Sequence, residues 1–568
     1  MDKRSIIGFV LILLILLLWP KWSKLINPPP EQPPAEQQTT AGSDTTGAVV
    51  SETMVKEMPD ELQVALFEGT GSSAMPVMDE PAVPEKLIRI ETESFIATLS
   101  SYGGLLKSLA LKEYFTGNGY NGDSLVEMIG APETSPWQAN GALTLGVEDS
   151  LYFINHASFE VQGYDLTLFK GDEPQTISFF YSGPDGASVR KDYTFNPDGY
   201  GFKLRLSVNK PGLLGFSDRL TLGWLTPVLP TEKDYKEDLG KFAGFYFTGN
   251  EVIENKDVDV EEPISGECKW VALRSKYFTN VIIADNIPGS DALIVGKKSS
   301  VYDREGKQHE WKKFGTGLTF KIEGEYFTND LTIYSGPLDY FSLQGIGYKL
   351  GELVDLGFWL FRPFSIGALW VFIQLHKALF NYGLVIIIFS IIMKVVFWPL
   401  TRKSSASMMR MKDLQPKIQE MKAKYKNEPQ KLNVETMKIY KEYGVNPFGS
   451  CLPLLVQLPV FWAMFSVLRN SIELRAAGFI FWITDLSQKD PYYILAILMA
   501  LAMFIQQKMT ITDPKQKMMI YIMPAVFLFI FGGMPSGLVL YWTMFSVIGI
   551  FEQILVKRKL EEEKKLAT

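Results

Sequence analysis

Few residues in this chain have chemistry to offer, and they sit in unusual places. Lys394 is the only charge in the apolar stretch from Tyr382 to Leu400, and Ser390 stands four residues before it. Helical positions four apart share a face. An ionisable side chain in such a stretch costs about 2.5 to 3.5 kcal/mol on insertion scales unless it reaches water or a partner. Two readings stay open. The ammonium can snorkel toward the near end of its span, marked by Arg402 roughly 12 Å along a helix, or it can face a polar groove shared by several spans. Gln457, Ser466, Gln506, Gln507, Thr543 and Ser546 supply uncharged polar groups in the other apolar stretches. One such residue per helix serves packing, but several together with a lysine favour the groove.

Ser390 with Lys394, or Ser536 in the run Gly533 to Gly537, also raises hydrolysis. A serine nucleophile needs a positioned base. No histidine lies in a span to serve Ser536, whose Gly-Pro setting suits a turn, and no oxyanion donor set accompanies Ser390. His156 and His309 show no metal-ligand spacing and read as surface or turn residues. No G-x-x-x-x-G-K-[ST] run is present, so nucleotide chemistry is not expected, nor are a metal or cofactor.

The elements that must position these residues follow from composition. The chain has 568 residues, 47% hydrophobic and 21% charged, with a net charge of -7. The average hides a split. Residues 22–380 hold 30 basic and 49 acidic side chains, whereas 381–568 hold 23 basic and 13 acidic. Two such halves face different surroundings. Cys268 sits among strand-like residues and Cys451 in an apolar run, so no disulfide is expected between them.

After Lys3 and Arg4, the stretch Ile6 to Trp19 is apolar, and bulky or charged Trp19, Pro20, Lys21 and Trp22 replace the small residues of a cleavage site. Residues 1–22 read as an uncleaved membrane anchor with tryptophans at the interface. Residues 23–84, rich in Pro, Gln, Glu and Thr, read as a flexible linker. From 85 to 336 short alternating runs such as QTISFFYSGPDG (175–186) indicate a large antiparallel β sandwich. The acidic cluster Asp257 to Glu262 reads as solvated loop charge.

Five apolar spans are expected at about 382–400, 448–468, 491–507, 518–533 and 536–556. Met518 to Phe551 runs 34 residues without a charge, about 51 Å as a helix against a hydrocarbon core of roughly 30 Å. It must turn back, and Gly532 to Gly537 is where it can. Lys394 then reads as the one charge of the five-span core. Residues 401–447 carry 11 basic against 5 acidic side chains, which the positive-inside rule places in the cytoplasm. Parity then makes 85–336 external. It also lays 358–380, within region 337–381, along the outer face as an amphipathic helix rather than across the membrane. Both termini fall inside.

The inner loop reads as a basic helical hairpin. Met411, Leu414, Ile418, Met421 and Tyr425 repeat at helical spacing, Pro429 interrupts, and Val434, Met437 and Tyr440 resume it. The face either packs within the hairpin or presents methionines to varied apolar segments.

The motifs LQPKIQEMKAKYKN (414–427), YKEYGVNPFGSCLPLLVQLPVFWAMF (440–465), DPYYILAILMALAMFIQQKM (490–509) and MPSGLVLYW (534–542) closely resemble the YidC family of Gram-negative membrane protein insertases, within the YidC/Oxa/Alb superfamily. Weaker similarity runs through KWVALRSKYFTNVI (269–282) and LVDLGFWLFRPF (353–364). The resemblance covers the whole layout. It implies a multi-domain membrane protein: an N-terminal anchor, a periplasmic β-supersandwich of mutarotase type, and a five-helix insertase core in the bacterial inner membrane. It places Lys394, before the run ending in Pro399-Leu400, where the family usually has arginine. Lysine keeps the charge but loses the planar fork. It further implies a substrate groove containing Ser390, Gln457, Pro459, Phe461, Phe465, Gln506, Tyr541 and Trp542. The implied partners are nascent inner-membrane proteins, membrane lipids, the Sec translocon with SecD and SecF, the ribosome and signal recognition components, with no specific nucleic acid. A sandwich that binds carbohydrate or peptide on a mere anchor is the rival, but it needs one span rather than six.

Overall fold

The computed structural model describes residues 83–567, apart from 119–123, 132–133, 136–138, 147–153, 217, 259–263, 304, 427, 445–451 and 511–516. The anchor and linker expected over 1–84 lie almost wholly outside the described residues, as does Cys451.

Residues 87–337 build two sheets. The smaller has five strands in the order Leu125–Glu127, Leu105–Phe115, Phe95–Ser100, Leu87–Glu91 and Leu166–Thr167. The larger has 13 strands, and its long central ladders are antiparallel, as between Gly201–Asn209 and Tyr326–Pro337. One short pair, Ile90 with Leu166, is parallel. Period-2 alternation drives these strands. In Ser188–Phe195, residues Val189, Lys191, Tyr193 and Phe195 point inward and Arg190 and Asp192 stay at the surface side. The core between the sheets is built from Phe95, Phe179, Tyr193, Phe195 and Phe202 among others, with Phe195 and Phe202 rings 5.0 Å apart. Cys268 is buried within it as a free thiol. His156 is exposed on a short turn, and His309 pairs with Asp303 at 2.7 Å.

The helices are α1 (Tyr235–Leu239), α2 (Tyr340–Ile346), α3 (Arg362–Leu379), α4 (Tyr382–Asp413), α5 (Gln415–Lys424), α6 (Pro429–Glu442), α7 (Leu452–Asn470), α8 (Ile494–Thr510), α9 (Lys517–Phe531) and α10 (Ser536–Ala567). α4, α7, α8, α9 and α10 fall on the five expected spans. Tyr382–Pro399 and Ser536–Lys559 are long and apolar enough to cross a membrane, and Ile494–Met509 and Met518–Phe531 are shorter apolar helices. The turn between α9 and α10 falls at Gly532 to Pro535, as the length argument requires. The region 358–380 is indeed helical, as α3. It ends at Phe380, whose φ of 53° turns the chain, and His376 stacks on Tyr382 with ring centroids 3.8 Å apart.

Two boundaries differ from expectation. α4 runs through Pro399 to Asp413, so Met411 belongs to the long helix and not to the hairpin. The break comes at Leu414 because Pro416 has no N–H to continue the ladder and suits a first turn. α10 likewise continues past 556 to Ala567.

The sheet domain and the helices share an apolar cluster. Trp270, Ala272, Val281 and Ile283 from the outer face of the large sheet join Leu350, Leu353, Phe372, Val467, Leu468 and Leu486. Polar contacts frame it. Tyr277 Oη donates to the Arg469 carbonyl (3.0 Å), Lys276 Nζ and Arg469 Nε lie 2.8 and 2.9 Å from Glu237 Oε1, and Arg475 pairs with Glu232.

Candidate functional site: a buried charge pair and an aromatic wall

α4 and α10 pack against each other along the centre of the helical part, and α8 packs on α10. Lys394 from α4 is buried and does not snorkel. Its Nζ stands 3.2 Å from Glu552 Oε2 of α10, and the two side chains are only 6% and 4% exposed. The ammonium also lies 4.0 Å from the centroid of the Phe545 ring. Phe545, Gly549 and Glu552 follow one another at spacings of four and three and so share a face of α10. A side chain at 549 would fill the space they frame: its Cβ would fall 2.5 Å from Gln506 Nε2 and 3.3 Å from Lys394 Nζ. The glycine thus leaves room for both the α8 amide and the α4 ammonium against the backbone of α10.

Glu552 corrects the expectation that Lys394 is the sole charge of the core. The signal was present, since 552 lies inside the expected span 536–556, but it ends a long uncharged run and reads there as the start of the charged tail.

Ser390 is fully buried, and its Oγ donates to the Ile386 carbonyl at 2.7 Å on its own helix. Ser536 Oγ donates to the Asp485 carbonyl at 3.1 Å, while its N–H bonds to the Gln488 carbonyl, so this serine fixes the start of α10. Tyr541 is fully buried between Phe389 (6.4 Å) and Phe545 (5.9 Å), joining the charge pair to the rest of the site.

Its neighbour Trp542 turns to another set of rings. Phe461 of α7 meets Trp542 edge-on at 5.4 Å, and Phe531 and Phe527 of α9 lie 5.5 and 6.1 Å from it. Phe461 and Trp542 are therefore neighbours. Phe465 contacts Trp462 at 6.0 Å and the Arg469 guanidinium at 5.3 Å, toward the sheet-domain end of α7. Pro459 lies within α7, and Gln457 Nε2 finds no hydrogen-bond partner among the described residues. The site residues thus fall into a polar knot of Lys394, Glu552 and Gln506 and an aromatic wall of Phe461 and Trp542.

In the hairpin, Leu414 and Ile418 are buried against Ile439 and Tyr440. Met421 and Tyr425 are half-buried, and Val434 and Met437 are exposed. The Tyr425 ring carries Lys431 and Lys424 ammonium groups at 5.3 and 5.6 Å. One part of the expected face packs within the hairpin and another part faces outward.

Comparison with known proteins decides the family. The family described as 60Kd inner membrane protein matches residues 374–564, and the YidC periplasmic domain matches 87–365. A membrane protein insertase YidC of Syntrophus aciditrophicus is 32% identical over 98% of this chain and 100% of its own length. The chain belongs to the YidC membrane protein insertase family. A YidC of Chlorobaculum parvum is likewise 32% identical, over 100% of this chain and 96% of its own. A crystal structure of an active YidC insertase with its first transmembrane domain resolved aligns over 86% of this chain and 96% of that one, at 19% identity and a TM-score of 0.36. The β-rich part of this YidC family member corresponds to the family's periplasmic domain, and the helices from α4 to α10 form its C-terminal helical core.

Proposed function

We propose that the chain inserts and helps fold inner-membrane proteins through a groove formed by α4, α7, α8 and α10, open to cytoplasm and lipid. The reading rests on one observation: a buried lysine in an apolar helix, paired with Glu552 of α10, the helix that also sets Trp542 against Phe461. Such a groove shortens the apolar barrier for a substrate's polar flank, and Lys394 draws acidic residues of that flank inward. The substrate's own apolar segment then moves into lipid. Its hydrophobic transfer, helped for anionic tails by the membrane potential, carries the flank across. The process needs no nucleotide hydrolysis and no covalent catalysis. The sheet domain faces the periplasm and both termini the cytoplasm. The hairpin α5–α6, with its lysines, meets the ribosome and signal recognition components, and the protein works alone or beside the Sec translocon with SecD and SecF.

Photo-crosslinkers placed at Ser390, Phe461 and Trp542 test this. They should capture a nascent single-span protein in preference to controls on the lipid face, and capture only at the controls would sink the groove. Depletion of the protein should leave the tails of small membrane proteins protected from external protease on the wrong side.

A further inference from the structure

We propose that Glu552 is an internal substitute for the substrate's acidic residue: it occupies Lys394 at rest, and an entering carboxylate must exchange with it. The inference rests on the groove reading above and adds the group that regulates its charge. Four observations carry it. First, Lys394 has its counter-ion within the chain, 158 residues away in sequence, on a different helix and at 3.2 Å. The resting site is therefore neutral, not cationic. Second, the pair is incomplete. Glu552 uses only Oε2, while its buried Oε1 has no hydrogen-bond partner among the described residues. A carboxylate bound through one oxygen gives up less on leaving than one gripped at both. Third, the other contacts of Lys394 are sequence-neutral supports that survive an exchange: the Phe545 face at 4.0 Å and the gap kept open by Gly549 beside Gln506. Fourth, a displaced Glu552 has a cation to turn toward. Exposed Lys559, seven residues and about two turns on, lies on the same face of α10, roughly 10.5 Å at helical rise.

Exchange has a consequence for selection. An acidic flank replaces one buried ion pair by another, whereas a neutral flank leaves Glu552 in place and gains nothing at Lys394. The preference for acidic flanks is then set by competition with Glu552, and removing its carboxylate should sharpen that preference.

The test uses the full chain in membranes with a photo-crosslinker at Trp542. Two nascent single-span substrates are compared, identical except for Asp or Asn in the flank. In Glu552→Gln the ratio of Asp to Asn capture should rise by on the order of tenfold, the low end of what close buried charge pairs contribute. Glu552→Met, which also lacks the carboxylate, should do the same and guards against a fault peculiar to the amide. Lys394→Gln combined with Glu552→Gln should bring the ratio to one. Normal capture with a ratio unchanged in both single variants overturns the exchange and leaves the groove standing. Failure of the unaltered chain to capture either substrate overturns both.

Discussion

The Arg475 Nε lies 2.6 Å from Glu232 Oε1, with the two side chains 4% and 2% exposed and 243 residues apart in sequence. Arg475 also donates through Nη2 to the Phe115 carbonyl at 2.7 Å. A loop of the helical part is thereby pinned to both a strand and a turn of the sheet domain. Removing one partner strands the other charge, so Arg475→Ala should lower stability by about 3 to 5 kcal/mol. Replacing both by methionine should recover much of that. Denaturant unfolding of the full-length protein in detergent, with limited proteolysis at the junction, measures both changes.

Lys191 occupies an inward position of its strand and is fully buried, its Nζ donating to the Gly103 and Leu143 carbonyls at 2.8 and 2.9 Å. Burial pushes its pKa down from 10.5 to about 7. Between those values the unfolded chain holds a proton that the folded chain has released. Stability of the sheet domain should therefore rise with pH from about 7 to 10, by up to about 1.4 kcal/mol per unit from this group. Lys191→Met should flatten that slope when the two proteins are unfolded side by side at pH 7.5 and 9.5.

Glu473, in the turn after α7, carries the opposite sign. Burial raises its pKa from 4.5 to about 7, and Oε1 has no hydrogen-bond partner among the described residues. Here the folded chain keeps a proton that the unfolded chain has lost, so the stabilisation is full below about 4.5 and gone as pH passes 7. Glu473→Gln keeps the neutral shape at every pH. At pH 8 it should be more stable than the parent by up to about 3 kcal/mol, and near pH 4.5 the two should melt together.

Gly549→Ala should damage the polar knot without removing a charge. The added Cβ would fall 2.5 Å from Gln506 Nε2, an overlap whose relief costs about 1 to 3 kcal/mol in a packed interior. Complementation after depletion should fall, while the melting of the sheet domain stays unchanged.

The amino-acid pattern exposed whatever depends on local periodicity. Pro429 marked the break between α5 and α6, and glycine with proline marked the turn between α9 and α10. Alternation marked the strands, and apolar, charge-poor stretches marked α4 and α7 through α10. It did not expose pairings between distant residues. Arg475 with Glu232, and Lys394 with Glu552, are each unremarkable until folding brings two elements together. Lys191 lies between. Its place in the Val189, Lys191, Tyr193, Phe195 alternation points inward, but a charged residue in that slot reads as a solvated one until the carbonyls around it are known. Ser390 is expected to line a groove, whereas its hydroxyl bonds to the Ile386 carbonyl of its own helix, a rotamer choice that no spacing rule contains.

The apolar cluster shared by the large sheet and the helices has a mechanical consequence. Trp270 and Val281 pack with Leu353 and Phe372, and close-packed side chains transmit strain and deform little. Among the described residues the packing is continuous across the junction. A tilt of α3 or α7 is therefore passed on to the strands that carry Trp270 and Val281 rather than taken up between the two parts.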